Sequence, residues 1–381
     1  MEGAVFLNRK VFSSVLLSSL LFLGVTGSGG VEASMITQIK YKQGGAKYIY
    51  TNAPEDVYDN PNMGSNFEAG KYAYYTNEKI LEANQEYSAE FFNRNYTGGQ
   101  LKFGYAIHNE DRQPRTIRIK NIAVNAAYPV SSDGSWDIMG ITSSTIVQYG
   151  NSNNDQVITI PADGHVFILE KDVENTFAVN GKIKFIPNAK LTLRQFVSKK
   201  KPDGQFSSPS EIFDPIKTSQ VKNYNKTTST ANYNYDERYA VIDNVTTSTF
   251  YVGSKTSKAY PQPRVGINEY EAPIWYLENS NPTLEGNYGI VYDFQFKNAA
   301  GKKIRIKPEI ISENDKSTDP EKFPPLAFFS QVTYWTSGTW KSTTKLTKPD
   351  QYQYITIPAD QHVKFILPGG NNGNNLFEII E

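Results

Sequence analysis

One short segment occurs twice in this chain, and the repeat limits what the chain can fold into. Residues Ile158–Val166 read ITIPADGHV and residues Ile355–Val363 read ITIPADQHV, so one position of nine differs. Agreement of this kind at a long offset indicates an internal duplication, in which each copy belongs to its own structural unit. We therefore expect two related domains.

Other matches extend the repeat beyond this segment. The tetrapeptide IRIK occurs at Ile117–Lys120 and again at Ile304–Lys307. Between IRIK and ITIPAD the second copy is longer than the first, and its extra residues are expected around Ser312–Lys322. Insertions between matched segments are typical of surface loops. The repeat therefore covers several strands of each expected domain.

The distribution of apolar residues predicts strands along the whole chain. The sequence has 25 tyrosines and 21 phenylalanines, residue types that favour strands. Runs such as Arg115–Val124 alternate between apolar and charged residues, with Gly, Asn and Pro between the runs. Ile146–Tyr149 is predicted as one of these strands, and no segment is predicted as a helix. We predict an all-β protein with two tandem Ig-like antiparallel β-sandwich domains related by internal duplication.

The N-terminal residues predict an export signal. Arg9 and Lys10 precede the apolar run Val11–Val25, and Val31–Ala33 matches a small-residue cleavage site. The apolar run is short for a membrane-spanning helix. We expect removal of residues 1–33 and a secreted, extracellular protein without a transmembrane segment, which stays at the cell surface only through what it binds.

Composition divides the rest of the chain into three parts. Residues 34–198 form the predicted first domain and residues 235–381 the predicted second domain. Between them, residues 199–234 are rich in Lys, Asn, Ser and Thr. A segment of this kind buries too little apolar surface to offset chain entropy. We predict a polar, flexible linker with little structure apart from local docking of Phe213.

Charge and cysteine content exclude several classes of partner and site. Lys plus Arg and Asp plus Glu both number 39, so no net field attracts nucleic acid or an anionic membrane. The chain contains no cysteine, which excludes disulfides and thiolate zinc sites. Export without cysteine is commoner where no oxidising compartment exists, and it favours a Gram-positive source.

Parts of both halves resemble a known family. Tyr75–Asn95 reads YTNEKILEANQEYSAEFFNRN and leads into FGYAIHNEDRQPRTIRI. Gly286–Gly289 and Pro368–Asn372 form a GNYG opening and a PGGNN close in the second half. These residues resemble the tandem β-sandwich modules of secreted Gram-positive surface proteins, which often accompany copper-amine-oxidase N-terminal-like stalk domains. The resemblance implies an extracytoplasmic β-sandwich protein without established activity, and it supplies no catalytic residue.

Each copy of the repeated segment contains an aspartate and a histidine two residues apart. Asp163 and His165 in the first copy correspond to Asp360 and His362 in the second. Such a pair could act in acid–base chemistry or supply metal ligands. Each turn offers at most two ligands, however, and Pro-Ala-Asp before a strand is ordinary turn chemistry. We predict structural turns, with a metal site at these residues as the weaker alternative.

No catalytic motif accompanies the third histidine, His108. The sequence lacks G-x-S-x-G, H-E-x-x-H, a P-loop and a dinucleotide-binding fingerprint. We therefore predict that the protein is not an enzyme and needs no cofactor. Calcium bound by loop acids is a weaker alternative, because their spacing matches no regular calcium loop and solvated side chains explain them better. These acids are Glu55, Asp56, Asp59, Asp133 and Asp137.

Aromatic side chains offer the main prospect of a ligand site. Sugar rings stack on aromatic faces and form hydrogen bonds at the rim. Trp335 and Trp340 flank a Thr-Ser-Gly turn and are expected at the surface, whereas Tyr74 and Tyr276 could instead fill the core. The candidate ligand contacts are Trp335, Trp340, Trp275, Tyr276, Tyr74 and Tyr75.

Two similar modules on one chain suit bivalent binding of a repeating ligand. We expect a non-catalytic binding protein of the bacterial surface or matrix, whose partner is a cell-wall or matrix polysaccharide or a surface protein. The alternative is a structural subunit of an extracellular fibre or coat that self-assembles through edge strands. A β-pore-forming toxin is a third alternative, based on the Thr- and Ser-rich run Asn244–Ser257.

Overall fold

The computed structural model describes most of the chain after the predicted export signal. The described residues are 37, 39–60, 62–130, 137–224, 228–253, 272–282, 284, 287–308, 330–346, 351–369 and 375–381. The predicted signal at 1–33 and the predicted insertion at Ser312–Lys322 lie outside them. Neither helix in these ranges has the length and apolar character needed to cross a bilayer.

Strands make up most of the regular structure of these residues, which confirms the predicted all-β fold. In the first half they are β1 (Lys42–Gly44), β2 (Lys47–Thr51), β3 (Asp56–Asn60), β4 (Gly64–Ser65), β5 (Ala73–Leu81), β6 (Tyr87–Tyr96), β7 (Leu101–Asn109), β8 (Arg115–Ala127), β9 (Gln156–Ile160), β10 (Gly164–Val173), β11 (Ala178–Pro187) and β12 (Leu191–Lys199). In the second half they are β13 (Thr218–Gln220), β14 (Thr230–Tyr233), β15 (Glu237–Asp243), β16 (Thr249–Val252), β17 (Trp275–Tyr276), β18 (Val291–Lys297), β19 (Lys303–Pro308), β20 (Thr333–Thr336), β21 (Thr339–Ser342), β22 (Gln353–Thr356), β23 (His362–Ile366) and β24 (Asn375–Ile380). The described residues also form the helices α1 (Ile138–Asn151) and α2 (Pro209–Phe213).

Two sheets form what we call the first sandwich. A nine-stranded sheet has the order β17-β14-β2-β6-β11-β8-β9, with β3 and β4 attached beside β6. A five-stranded sheet has the order β10-β7-β12-β5-β13. The two sheets bury a shared core because alternate side chains of each strand point inward. Large members of this core are Phe91, Phe103, Tyr105, Ile183 and Phe185.

Two further sheets form the second sandwich. A six-stranded sheet has the order β1-β15-β18-β23-β20-β21, and a four-stranded sheet has the order β16-β24-β19-β22. Large members of their core are Phe294, Phe296, Ile304, Phe365 and Phe377. Most strand pairs are antiparallel, but β2 and β3 run parallel to β6, β13 to β5, and β15 to β18.

The repeated segments occupy matching places in the two sandwiches. Ile158 on β9 pairs with Ile117 on β8, and Ile355 on β22 pairs with Ile304 on β19. In both copies the fourth residue of the Pro-Ala-Asp turn donates its backbone N–H to the proline carbonyl, at 3.1 Å and 2.9 Å. Two related sandwiches would share these registers. The common origin of the two halves stays a prediction.

Strands cross between the two predicted domains. β1 precedes the first sandwich in sequence, yet it pairs with β15 in the six-stranded sheet of the second. β14 and β17 come from the later part of the chain, yet they extend the nine-stranded sheet of the first through β2. A separate cluster is buried where these segments meet, with Tyr48, Tyr50, Tyr233, Leu284 and Ile290. The predicted domain boundaries therefore do not separate two self-contained sets of strands.

Residues 199–234 are more ordered than the predicted flexible linker, which was wrong for their described part. Helix α2 starts with a capping box formed by Ser208 and Glu211. β13 pairs with β5, and β14 pairs with β2, so this stretch hydrogen-bonds to two sheets. Amino-acid composition does not predict this order. Pairing to an existing strand uses backbone N–H and C=O groups, which polar residues supply as well as apolar ones.

Helix α1 replaces the strand predicted at Ile146–Tyr149, so that prediction was wrong. Asp137 caps the helix by accepting a hydrogen bond from the backbone N–H of Gly140 at 3.0 Å. Four buried residues starting at Thr142 follow the i, i+3, i+4, i+7 spacing of one helix face. A window of four residues is too short to separate this period from a strand.

Helix α1 also contacts the hairpin of β20 and β21 in the second sandwich. The side chain of Asn151 donates to the carbonyl of Trp340 at 3.0 Å and accepts from its backbone N–H at 2.9 Å. The indole of Trp340 covers Gly150, where a Cβ would overlap with the ring. Trp340 is therefore a packing residue between the helix and the hairpin.

A buried ion pair links the nine-stranded sheet to the second half of the chain. Lys182 on β11 faces Glu90 on β6, with 2.6 Å between Nζ and Oε2 and side chains that are 1% and 2% exposed. Lys182 also donates to the carbonyl of Gly289 at 3.1 Å. The hydroxyl of Tyr48 donates to Glu90 at 3.1 Å. These bonds compensate two charges that burial would otherwise penalise.

Candidate functional site

A cleft opens on the outer face of the five-stranded sheet, beside helix α2. Its volume is about 450 Å³, and ligand sites typically have about 300–1,000 Å³. Strands β5, β7, β10 and β12 contribute its floor, and α2 contributes one wall. Because two histidines lie side by side on this floor, we call it the histidine cleft.

Strand register assembles the floor of the histidine cleft. His165 pairs with His108, His108 pairs with Thr192, and Thr192 pairs with Ile80. Side chains of directly paired residues point to the same face of a sheet. Four strands that are distant in sequence therefore present one row of side chains to the cleft.

Arg194 attaches helix α2 to this floor. Its Nε is 2.6 Å from Oε2 of Glu78, the residue that it pairs with on β5. Its guanidinium lies over the rings of Tyr75, at 4.2 Å, and Phe213, at 4.9 Å. Its Nη1 donates to the carbonyl of Ile212 at 2.8 Å. The planar guanidinium thus fixes the wall of the cleft relative to the sheet.

The two histidines stack on each other. Their ring centroids are 4.0 Å apart, with 9° between the planes. Phe213 lies 5.3 Å from the ring of His108 and 5.2 Å from the ring of His165. Burial lowers the pKa of His165 and the electrostatic influence of the neighbouring His108 lowers it further, while the carboxylate of Asp163 acts in the opposite direction. The lowered pKa favours the uncharged form of the His165 imidazole, which suits its stacking against His108.

Carboxylates lie at both ends of the His108 imidazole. Nδ1 is 3.9 Å from Oε1 of Glu110, and Nε2 is 3.7 Å from Oδ1 of Asp163. Nε2 is buried and forms no hydrogen bond with any described residue, which costs free energy unless a partner is supplied. The side chains of Glu110 and Asp163 are 73% and 87% exposed, so both keep most of their hydrogen-bonding capacity.

The histidine pair does not suit a shared metal ion in this arrangement. Parallel rings point their nitrogen lone pairs in parallel directions, and an ion midway between them would lie about 2 Å out of each ring plane. A metal held by imidazole lies near the ring plane, about 2.0–2.1 Å from the nitrogen. Within the described ranges, no three His, Asp or Glu side chains are grouped to hold a metal. Asp163 and His165 are better described as rim and stacking groups.

The second Pro-Ala-Asp turn has different surroundings. His362 Nε2 is 2.7 Å from Oδ1 of Asp293, and its ring meets Trp335 edge-on at 5.1 Å. Burial acts to raise the pKa of Asp293, but the hydrogen bonds and charges of Lys364 and His362 outweigh it and hold that pKa below its usual value. Asp360 accepts a hydrogen bond from the backbone of His362 at 3.2 Å. The two turns lie on different sheets, and the histidine cleft is lined by His165 but not by His362.

The candidate aromatic residues lie in several environments. Tyr74 is 0% exposed in the core of the first sandwich, which removes it from the candidate ligand contacts. Tyr75 lies under Arg194 at the margin of the histidine cleft. Trp275 and Tyr276 are 36% and 48% exposed on the edge strand β17. The structure therefore brings one of these residues, Tyr75, next to the cleft.

The described loop acids considered for calcium have other partners. Glu55 and Asp56 both form ion pairs with the guanidinium of one arginine. Asp59 Oδ2 is 2.7 Å from a lysine Nζ. Asp137 caps helix α1, and Asp133 lies outside the described residues.

Sequence reasoning missed most of the residues of the histidine cleft. Glu78, Glu110, Thr192 and Arg194 belong to no motif, and only the pairing of their strands brings them together. Part of the signal is local, because Leu191–Phe196 alternates and places Thr192 and Arg194 on one face. The sequence of this segment does not specify which strands lie beside it in the sheet.

The stacked pair predicts an acid-sensitive histidine. The chain has three histidines, so NMR can follow each C2–H signal during a pH titration. We expect His165 to titrate below the ordinary value of about 6.5, and we expect its pKa to rise in a His108→Asn variant, which removes one cause of the shift. A His165 pKa at or above the ordinary value in the unaltered chain would contradict the stacked arrangement.

The same shift links pH to stability. When the folded pKa is lowered, the unfolded chain binds the proton more readily, so protonation favours unfolding. The contribution of His165 to the free energy of unfolding should be fully present above its pKa in the unfolded chain, about 6.5. It should be lost as the pH falls through the pKa of His165 in the folded protein. Urea denaturation at several pH values measures this loss.

Comparisons with known proteins give no family assignment. No family model matches the chain, and no curated protein matches its sequence. Among solved structures, the PBSX exported protein XepA aligns with 81% of this chain and 86% of its own, at 9% identity and a TM-score of 0.17. The CUB1-EGF-CUB2 domains of rat MASP-1 align with 84% of this chain and 98% of their own, at 7% identity and a TM-score of 0.18. Similarity at this level carries no conclusion about function.

Proposed function

We propose that this chain is an exported, non-catalytic binding protein that holds a polysaccharide in the histidine cleft. The observation that supports this proposal best is a cluster of three rings with carboxylates at its rim: the imidazoles of His108 and His165 stack in parallel, and the ring of Phe213 contacts both at tilts of 48° and 41°. We expect the ligand in the cell wall or extracellular matrix, because the N-terminal sequence predicts export and the family resemblance is to surface proteins.

The chemistry of the cleft suits a sugar. A pyranose ring has an apolar face of C–H groups, which packs well on flat rings, and a rim of hydroxyls, which needs donors and acceptors. The hydroxyl of Thr192 donates to Glu110 at 3.2 Å, and both lie within reach of the stack. Because Arg194 and Glu78 hold each other in place, the polar groups are preorganised and lose little freedom on binding.

Retention on glycans tests the proposal. The purified exported chain should be retained by at least one insoluble preparation of cell wall, chitin or cellulose. Phe213→Ala removes the ring that contacts both imidazoles and should weaken binding by about tenfold, as expected for a central aromatic contact. Trp275→Ala removes an exposed aromatic outside the cleft and should bind like the unaltered chain. Folded protein that no preparation retains would argue against the proposal.

A fibre or coat subunit is the second candidate. Ile274, Trp275 and Tyr276 are consecutive exposed apolar residues at the edge strand β17, and exposed edges pair with other chains. Negative-stain microscopy of the concentrated chain should show ordered polymers if this is the function. Dispersed particles at all concentrations would count against it.

The pore-forming hypothesis has less support from the fold. Phe250 and Val252, in the run that suggested it, are fully buried in the core of the second sandwich. A membrane hairpin would instead turn alternate residues toward lipid. We expect no leakage from liposomes at any protein concentration.

A further inference from the structure

The histidine cleft carries more negative than positive charge. Among the described residues that line it, Arg194 is the one Lys or Arg, and Glu78 neutralises it at 2.6 Å. Glu110 and Asp214 also line the cleft, and Asp163 lies at its rim. Since Glu78 offsets Arg194, the three carboxylates of Glu110, Asp163 and Asp214 outnumber the two histidines, so carboxylates remain in excess.

Two of these carboxylates lie on either side of the His108 ring. Glu110 and Asp163 approach opposite nitrogens of His108, at 3.9 Å and 3.7 Å, which is beyond hydrogen-bonding distance. In the described part of the chain, neither forms an ion pair with a Lys or Arg. Both therefore have oxygen lone pairs free for a donor that enters the cleft.

We infer that the histidine cleft selects polysaccharides with protonated amino groups, such as polymers of 2-amino-2-deoxy sugars. This inference rests on the proposed function. While a sugar ring packs against this cluster of three rings, its ammonium group donates charge-assisted hydrogen bonds to Glu110 and Asp163. N-acetylated sugars lack this charge, and the same carboxylates repel uronic acids.

Isothermal titration calorimetry with defined oligosaccharides tests the selection. The probes are hexamers of glucosamine, N-acetylglucosamine and glucose, each measured at neutral pH. The glucosamine hexamer should bind about tenfold more tightly than the other two. Its advantage should shrink as sodium chloride is raised, because salt screens exposed charges.

A charge-neutral variant locates the selecting groups. Glu110→Gln combined with Asp163→Asn keeps the shape of both exposed side chains, and asparagine tolerates the φ of 48° at this position. This variant should bind the three hexamers with about equal affinity. Glu174→Gln neutralises an exposed acid between β10 and β11 and should keep the preference of the unaltered chain.

The outcomes separate this inference from the proposed function. Equal affinity of the unaltered chain for all three hexamers would overturn the amino-sugar inference while glycan binding stands. A preference that survives in the double variant would also overturn it, since the charge would then act from elsewhere. No binding to any hexamer or wall preparation would contradict the proposed function and the inference together.

Discussion

Replacing Lys182 with alanine should lower the free energy of unfolding by about 3–5 kcal/mol. Alanine leaves the carboxylate of Glu90 without the ammonium that lies 2.6 Å away, at a site where both side chains are buried. The carboxylate must then stay buried without its partner or take up a proton, and both cost free energy. Urea denaturation followed by tryptophan fluorescence measures the change.

Two further variants separate the effect of the buried charge from that of lost packing. Lys182→Met combined with Glu90→Gln removes both charges at similar volume and should recover most of the lost stability. Lys102→Ala breaks a more exposed ion pair with Glu170, also at 2.6 Å, and should cost at most about 1 kcal/mol. Equal losses for Lys182→Ala and Lys102→Ala would mean that the buried pair has no special role.

Gly289→Ala should destabilise the protein by about 2–5 kcal/mol. Gly289 has a φ of 76°, in the left-handed region that costs a residue with a Cβ about 1–2 kcal/mol. The added Cβ would also overlap with the hydroxyl of Tyr48 and the carboxylate of Glu90. The backbone cannot yield without loss, because the carbonyl of Gly289 accepts the hydrogen bond from Lys182. Thermal unfolding followed by circular dichroism measures the effect.

A second left-handed glycine provides the matched control. Gly301 has a φ of 78°, and a Cβ there would meet no neighbouring atom. Gly301→Ala should therefore show backbone strain alone, about 1–2 kcal/mol. The difference between the two variants measures the overlap at Gly289. If both variants lose the same stability, the contact of Gly289 with the ion pair contributes nothing.

Much of the fold follows from patterns that are local in sequence. Alternating runs such as Arg115–Val124 form strands because one face of each sheet is buried. The repeated ITIPAD segments lie at matching registers, which their near-identity predicts. The spacing that starts at Thr142 indicates helix α1 when it is read over eight residues, long enough to separate a helical period from a strand.

The remaining features depend on contacts between distant segments. The stretch 199–234 is polar, yet β13 and β14 are held by backbone bonds to strands far away in sequence. Amino-acid composition does not show which edge strand has unpaired backbone groups that another segment can bind. Likewise, Tyr74 and Tyr75 are adjacent in sequence, but one is in the core and the other lies near the cleft.

The histidine cleft illustrates the same limit. His165 belongs to the repeated segment, whereas no motif surrounds His108. They form one stack because β10 and β7 pair in register at these two residues. Register is a property of the assembled sheet, so the sequence shows His108 and His165 as two separate histidines and does not bring them together.

NMR of the three histidines tests most directly whether the histidine cleft holds a glycan. The probe is a mixture of partially N-acetylated glucosamine oligosaccharides, which contains both charged and neutral sugars. On titration, the C2–H signals of His108 and His165 should shift together and saturate, while the signal of His362, on another sheet, should stay in place. Unchanged His108 and His165 signals at saturating glycan, or a shift of His362 alone, would contradict the proposed site.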